Sequence, residues 1–369
     1  MLLDATKETM RFLTDLPAHD AGRADIRLVG SADEWEERLG KDRPGTVVTI
    51  GNFDGVHLGH QKILRDVVAR AAAADGRGNA RDTCDVHAAR DAQKQLLPAV
   101  LTFYPHPARV LRPQQAPSLL ETLPQRLADF AALGISAALV LQFDAVLAQA
   151  CAEDFVKQFL VQTMRTRAVL VGASFRFGHK QLGDVELLKE LGRRWGFEVV
   201  IVTPVIDGGD VVSSTSIREA VRGGRVEDAR RMLGRPFALV GEIRTGTGQG
   251  RKLVVPTLNL ATEQETLPKT GVYASETVLP GGTYRSVTNV GVRPTFEGTR
   301  LAIESHLFDF AEALTAGAMK VRFLQRLREE QKFSGPEALR EQVLKDIERA
   351  RSIFAPSRIM EEKRRRDAN

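Results

Sequence analysis

The chain has 369 residues, 43% of them hydrophobic and 27% charged, with a formal net charge of +5. That length predicts two or three domains, each able to bury a core without disulfides or metals. The two cysteines, Cys84 and Cys151, have no metal-type spacing, the positive balance is too mild to imply nucleic acid, and no apolar run reaches the roughly 18 to 20 residues of a membrane span.

Residues 1–24 show little periodicity and are broken by charges throughout, which predicts a loosely ordered extension and no signal peptide. The cysteine usage makes a reducing cytoplasm the expected compartment. A first domain is expected over 25–236. Its short apolar runs are "TVVTI" at 46–50, "AVLTF" at 99–103, "AALVLQF" at 137–143, "AVLVG" at 168–172 and "EVVIV" at 198–202. Continuous apolar strands alternating with helical patterns argue for a parallel α/β sheet covered on both faces. The polar stretch at 74–95 reads as a surface insertion between a helix and a strand. A helix should end at Gly234, with Pro236 preventing its continuation, and this places the domain boundary.

From 237 to 369 the pattern becomes mostly strands: "FALVGEIRTG", "VPTLNLA", "GVYASETVL", "YRSVTNVGV", "AIESHLFDF" and "MKVRFL". Close turn signals between them suggest a small antiparallel barrel or sandwich. An amphipathic helix at roughly 335–354 should pack across it, ahead of a solvated basic tail.

Two stretches of the first domain carry chemistry. In "GNFDGVHLGHQKIL", 51–64, a strand breaks into glycines and two histidines and then resumes as a helix. Ligands of open α/β sheets bind at carboxyl strand ends beside helix N-termini. Gly51 lets the chain turn and a phosphate approach, Gly55 and Gly59 extend that surface, and His57 and His60 sit at the helix mouth. No Gly-Lys-Ser/Thr follows, so this is not a Walker A loop. In "VVSSTSIREAV", 211–221, Ser213, Ser214, Thr215 and Ser216 stand where a helix begins, with Arg218 in its first turn. Hydroxyls, open amides and a guanidinium there make a second anion site. Two such sites at one sheet edge suit a nucleoside triphosphate split at its α-phosphate.

These stretches resemble the nucleotidylyltransferase superfamily with its HxGH signature. With "LTFYPHPARVL", "LVLQFD", "VGASFRFGHKQLGDVELL" and "LGRPF" in order, residues 45–237 resemble the adenylyltransferase module of bacterial bifunctional riboflavin kinase/FAD synthetases. The resemblance implies transfer of AMP from ATP to FMN with release of pyrophosphate. It makes Gly51, Asn52, Phe53, Asp54, Gly55, His57, Gly59 and His60 the ATP-contacting run, with His57 and His60 stabilising charge on the α- and β-phosphates. Ser214, Thr215 and Arg218 would hold pyrophosphate, and Tyr104, Ser174 and Asp184 would contact the flavin. Ser174 stands where the family usually has Asp or Asn, and Tyr104 where an acidic residue is common.

In the second domain, "GTGQGRKLVVPTLNL" at 246–260 sets Gly246, Gly248, Gly250 and Arg251 ahead of Thr257 and Asn259. The loop reads equally as a plain hairpin turn or as a phosphate and Mg²⁺ site. On alternation alone Glu304, in "LAIESHLF", is an outward-facing strand residue. With "GVYAS", "NVGVRPTF", "ESHLFDF" and "FLQRLREEQKF", this half resembles the riboflavin kinase module over 237–354, although Val254 and Val255 replace the usual Gly-Phe. The resemblance implies ATP bound at the glycine loop, Mg²⁺ and phosphate at Thr257 and Asn259, and Glu304 as the base for the ribityl 5′-hydroxyl. The fold it implies is a nucleotidylyltransferase-type parallel α/β sheet domain followed by a small antiparallel β-barrel riboflavin kinase domain with a C-terminal helix. Substrates and products would be riboflavin, FMN, FAD and ATP, with neither nucleic acid nor membrane as partner.

Overall fold

A computed structural model describes residues 27–29, 32–40, 44–73, 96–244, 256–295, 298–312 and 314–354. The extension at 1–24, the insertion at 74–95, the loop residues Gly246, Gly248, Gly250 and Arg251, and the basic tail lie outside the described residues. The chain forms two compact units that divide between Ser214 and Thr215.

The first unit is built on a six-stranded sheet in the order β1-β4-β3-β2-β5-β6. Its strands are β1 (Arg27–Val29), β2 (Thr46–Ile50), β3 (Leu97–Tyr104), β4 (Ala137–Gln142), β5 (Thr166–Gly172) and β6 (Glu198–Val202). Every pairing is parallel, and a small antiparallel ribbon, β7 (Ile206–Asp207) and β8 (Asp210–Val211), follows β6. The chain runs from β2 outward to β3 and β4, then returns to place β5 on the other side of β2. The carboxyl end of β2 is therefore the topological switch point, where open α/β sheets bind ligands.

Helices of this unit include α1 (Ala32–Leu39), α2 (Leu58–Ala73), α3 (Leu123–Ala132) and α4 (Val185–Trp195). On one face, Leu64 and Val67 of α2 and Leu127 and Phe130 of α3 pack on Val47, Val100 and Leu170. On the other, Leu188 and Leu191 of α4 and Trp35 of α1 join Val48, Leu101 and Val169. Both faces are covered, which is why the strands read as unbroken apolar runs and not as alternation.

The second unit opens at Thr215, within α5 (Ser214–Arg222), and continues with α6 (Val226–Leu233). Gly234 caps α6 in the left-handed region at φ 70°. α6 packs on β9 (Phe237–Arg244) and β14 (Ala318–Arg328). Between those strands run β10 (Leu258–Thr262), β11 (Gly271–Leu279), β12 (Gly282–Thr295) and β13 (Gly298–Leu307), and the six close into an antiparallel barrel ordered β10-β13-β12-β11-β14-β9. Its interior carries Ser275, Thr277, Ser286, Thr288 and Ser305, all fully buried. They satisfy one another, with Ser275 2.7 Å from Thr288 and Thr288 2.7 Å from Ser305, so their burial leaves no orphaned hydroxyl.

The outer wall bears Val272, Ala274, Val287 and Leu327, covered by Ile347 and Ala350 of α7 (Pro336–Phe354). A buried ion pair pins that helix. Arg328 donates from Nε and Nη2 to the Asp346 carboxylate at 3.0 and 2.7 Å, and Arg349 donates to the Leu327 carbonyl at 2.7 Å. Breaking a buried pair by removing one partner costs about 3–5 kcal/mol, because the other charge stays buried. Asp346→Ala should therefore lower the stability of the barrel unit by about that amount. Both tryptophans, Trp35 and Trp195, lie in the first unit. Their fluorescence transition in urea should stay in place while the far-ultraviolet circular dichroism transition moves to lower urea. A single, unshifted transition by both probes would contradict this.

Candidate functional site

The turn between β2 and α2 is held from several sides. Asp54, 2% exposed, accepts from the Leu120 N–H at 3.0 and 3.1 Å and from the Glu121 N–H at 3.3 Å. Gln61 donates to the Val56 carbonyl at 2.9 Å, and Arg126 Nη1 donates to the Asn52 carbonyl. Phe53 and Val56 are non-glycine residues in positive φ, at 51° and 34°. Such strain persists only where surrounding contacts over-determine it. Gly55 at φ 85° presses on Leu120, leaving no room for a Cβ. A Cβ at Gly51 would lie 3.2 Å from the Phe53 ring, and one at Gly59 3.2 Å from the His57 ring, both tight contacts. All three glycines thus make room for protein side chains as well as shaping the turn.

His57 and His60 stack with ring centroids 3.6 Å apart and planes at 21°. Phe53 meets His60 edge-on at 5.1 Å and Phe130 at 5.5 Å. Burial, then the positive neighbours His57 and Arg126, hold His60 well below its usual pKa. A neutral imidazole is the form that stacks without charge repulsion, and a polyanion placed beside it would favour its protonation, since opposite charge raises a histidine pKa.

One residue of the second motif reaches the turn: Ser214 Oγ donates to the Asp54 carbonyl at 2.8 Å. Thr215, one residue along α5, is exposed, and Arg218 is buried. Ser174 is exposed in the turn after β5, and Tyr104 ends β3 and packs on the core beneath the turn. Asp184 N-caps α4, accepting from the Leu187 N–H at 2.9 Å, and pairs with Arg176 at 3.3 Å; the Leu187 hydrogen bond leads the causes that lower its pKa.

In the barrel, strand register lines up the predicted residues. Asn259 of β10 and Asn289 of β12 both stand opposite Glu304 of β13, so the three share the outer face. Glu304 is half-buried there. Thr257 precedes β10, and His306 Nδ1 donates to the Pro256 carbonyl at 2.9 Å, fastening that segment to β13. A Cβ at Gly291 would lie 2.6 Å from Glu330 Oε1 and 3.0 Å from Asn289 Nδ2, so Glu330 adds a second carboxylate beside the row. Asn289, Glu330 and the buried Arg126 were not singled out from the sequence. Asn289 and Glu330 lie within "NVGVRPTF" and "REEQKF", and only strand register brings them near Glu304. No group of three or more His, Cys, Asp or Glu fit to hold a metal occurs among the described residues. The neutral oxygens of Thr257 and Asn259 beside one carboxylate suit a hard cation that arrives with substrate phosphates.

A family model described as riboflavin kinase matches residues 233–354, and one described as FAD synthetase matches 40–79 and 84–216. The chain is 35% identical over 320 residues to the bifunctional riboflavin kinase/FMN adenylyltransferase of Pseudomonas fluorescens, covering 86% of this chain and 96% of that one. It is 33% identical over 317 residues to the protein of the same name from Escherichia coli strain K12, covering 84% and 93%. The chain belongs to the bifunctional riboflavin kinase/FMN adenylyltransferase family. A crystal structure of a macrolide-efflux protein from Streptococcus pneumoniae superposes with a TM-score of 0.74 at 27% identity, covering 88% of this chain and 99% of that one. Among the described residues of this family member, no helix is long and apolar enough to cross a membrane.

The state of His60 has a consequence for acid stability. Its pKa is depressed in the folded chain and returns to about 6.5 on unfolding, so the unfolded state binds more protons as pH falls below that value. The stability His60 contributes is present above about pH 6.5 and is lost progressively toward its lower folded pKa. His60→Asn should therefore lose less of its urea midpoint than the wild type between about pH 7.5 and pH 5.5. Equal losses would show that His60 titrates normally.

Proposed function

We infer that the chain phosphorylates riboflavin with ATP to give FMN, then transfers AMP from a second ATP to FMN, giving FAD and pyrophosphate. What carries this reading is one chain holding an HxGH turn at the switch point of its sheet and Glu304 between Asn259 and Asn289 on its barrel. Adenylyl transfer is assigned to 25–236 and the kinase reaction to 237–369.

In the kinase reaction Glu304 accepts the ribityl 5′-hydroxyl proton as that oxygen bonds to the γ-phosphorus and the bond to the β-phosphate oxygen breaks. Thr257 and Asn259 would hold Mg²⁺, which supplies charge neutralisation on the phosphates when bound. The glycine loop with Gly246, Gly248, Gly250 and Arg251 would cradle those phosphates.

In adenylyl transfer no protein nucleophile is required, because an FMN phosphate oxygen attacks the α-phosphorus and pyrophosphate leaves. His57 and His60 then act by hydrogen bonding and charge stabilisation at the α- and β-phosphates. The Ser214, Thr215 and Arg218 helix start receives the pyrophosphate. Tyr104, Ser174 and Asp184 are proposed for the flavin, since they follow or end strands at the carboxyl edge of the sheet. A cytoplasmic setting fits the unpaired thiol of Cys151.

Glu304→Gln keeps size and hydrogen bonding but cannot take the proton. It should cut riboflavin turnover roughly 10²-fold, with riboflavin and ATP affinities little changed. FAD formation from supplied FMN should persist. His60→Ala should give the converse pattern. A wild-type rate for Glu304→Gln, or equal loss of both activities in either folded variant, would overturn the assignment.

A further inference from the structure

Arg126 is out of keeping with its surroundings. It lies on α3 among Leu123, Leu127 and Phe130, and it is 1% exposed. Nη1 donates to the Asn52 carbonyl, while Nε and Nη2 are buried with no hydrogen-bond partner among the described residues. An unsatisfied buried polar group costs about 1–3 kcal/mol, and more when charged. An apolar residue would suit the helix better. Asn52 Oδ1 and His60 Nδ1 are likewise buried without a hydrogen-bond partner. Buried polar atoms without partners therefore occur both in the HxGH turn and on the arginine bonded to it, at a cost in stability, and such local costs concentrate at functional sites.

We propose that Arg126 is a positioning residue of adenylyl transfer, holding the HxGH turn in its reactive shape through the Asn52 carbonyl and setting a positive charge beneath the stacked imidazoles. This rests on the assignment of adenylyl transfer to that turn. Arg126 does not touch substrate, because Nε and Nη2 are sealed from solvent. It acts through two neighbours. The first is the Asn52 carbonyl, immediately after Gly51 and before the strained Phe53. The second is His60, on which Arg126 from α3 and His57 from the same turn are the charged groups that act, while Asp54, Glu121 and Tyr104 act on Arg126 itself. Both effects on His60 disfavour imidazolium until a polyphosphate arrives to offset them. The two stacked rings thereby stay available as hydrogen-bonding groups between turnovers.

Two variants separate the two effects. Arg126→Met removes both the charge and the bond to Asn52, whereas Arg126→Lys keeps the charge and loses the planar fork. For each, FMN adenylylation is measured from about pH 5.5 to pH 8.5, riboflavin phosphorylation is measured on the same sample, and His60 is titrated by NMR, its signal assigned with His60→Ala. Arg126→Met should lower kcat for FAD formation about tenfold to a hundredfold, the scale of a small misplacement at a reacting centre. KM for ATP and FMN should change little, the His60 titration and the acid limb should move up in pH, and riboflavin phosphorylation should be unaltered. Arg126→Lys should leave the His60 titration at its wild-type position while kcat for FAD formation still falls. Should Arg126→Met not fold, Arg126→Lys decides. A wild-type kcat in either folded variant overturns the proposal. So does a lower kcat in Arg126→Met with an unmoved His60 titration, which marks a merely structural role. If His60→Ala itself forms FAD at the wild-type rate, it is the assignment of the turn that fails, whatever the Arg126 variants do.

Discussion

Asp54 joins three separate segments of the chain, and the turn proposed for adenylyl transfer depends on that joint. Its carboxylate accepts from the N–H groups of Leu120 and Glu121, and its carbonyl accepts a hydrogen bond from the Ser214 hydroxyl. A buried carboxylate accepting several N–H bonds is among the stronger neutral-to-charged arrangements available to a loop. It lets the turn carry two non-glycine residues at positive φ, and those angles bring Phe53 over Gly51 and His57 against Gly59. The stacked imidazoles are thus a result of how the turn is tied down. The sheet contributes the location, since only at the end of β2 do neighbouring strands depart in opposite directions.

The barrel solves a different problem. A six-stranded barrel has an interior filled by its own side chains, and here that filling combines apolar residues such as Tyr273 and Phe323 with a network of small hydroxyls. That filling leaves the outer wall as the open face, which is where the role proposed for Glu304 would have to act. Glu304 draws its significance from register: antiparallel pairing sets Asn259 on one side of it and Asn289 on the other. Farther along that wall, Gly291 leaves room for the Glu330 carboxylate. The Arg328–Asp346 pair, just before Glu330 in sequence, fixes where β14 ends and α7 crosses.

The strands β2 to β6 were legible because each is a continuous apolar run, and the barrel strands because turn residues bracket them. β1 was not, since three residues at 27–29 are too few for any periodicity. β12 extends to Thr295, past the Val292 at which its apolar pattern stops, because pairing with β13 carries it through Pro294. The HxGH turn and the Ser214 helix start were readable as anion-binding chemistry, but their union through the Asp54 carbonyl spans 160 residues and has no local trace. Arg126 is the clearest case. Placed on a short helix it reads as a surface cation, and only the Asn52 carbonyl, 74 residues away, and the covering turn make it a buried one.

One chain thus carries two consecutive phosphate-transfer reactions, and a time course of the purified chain with riboflavin, ATP and Mg²⁺, resolving flavins by chromatography, tests this. FMN should appear first and FAD should follow at its expense. Riboflavin left unchanged, or FMN that accumulates with no FAD while ATP remains, would contradict it.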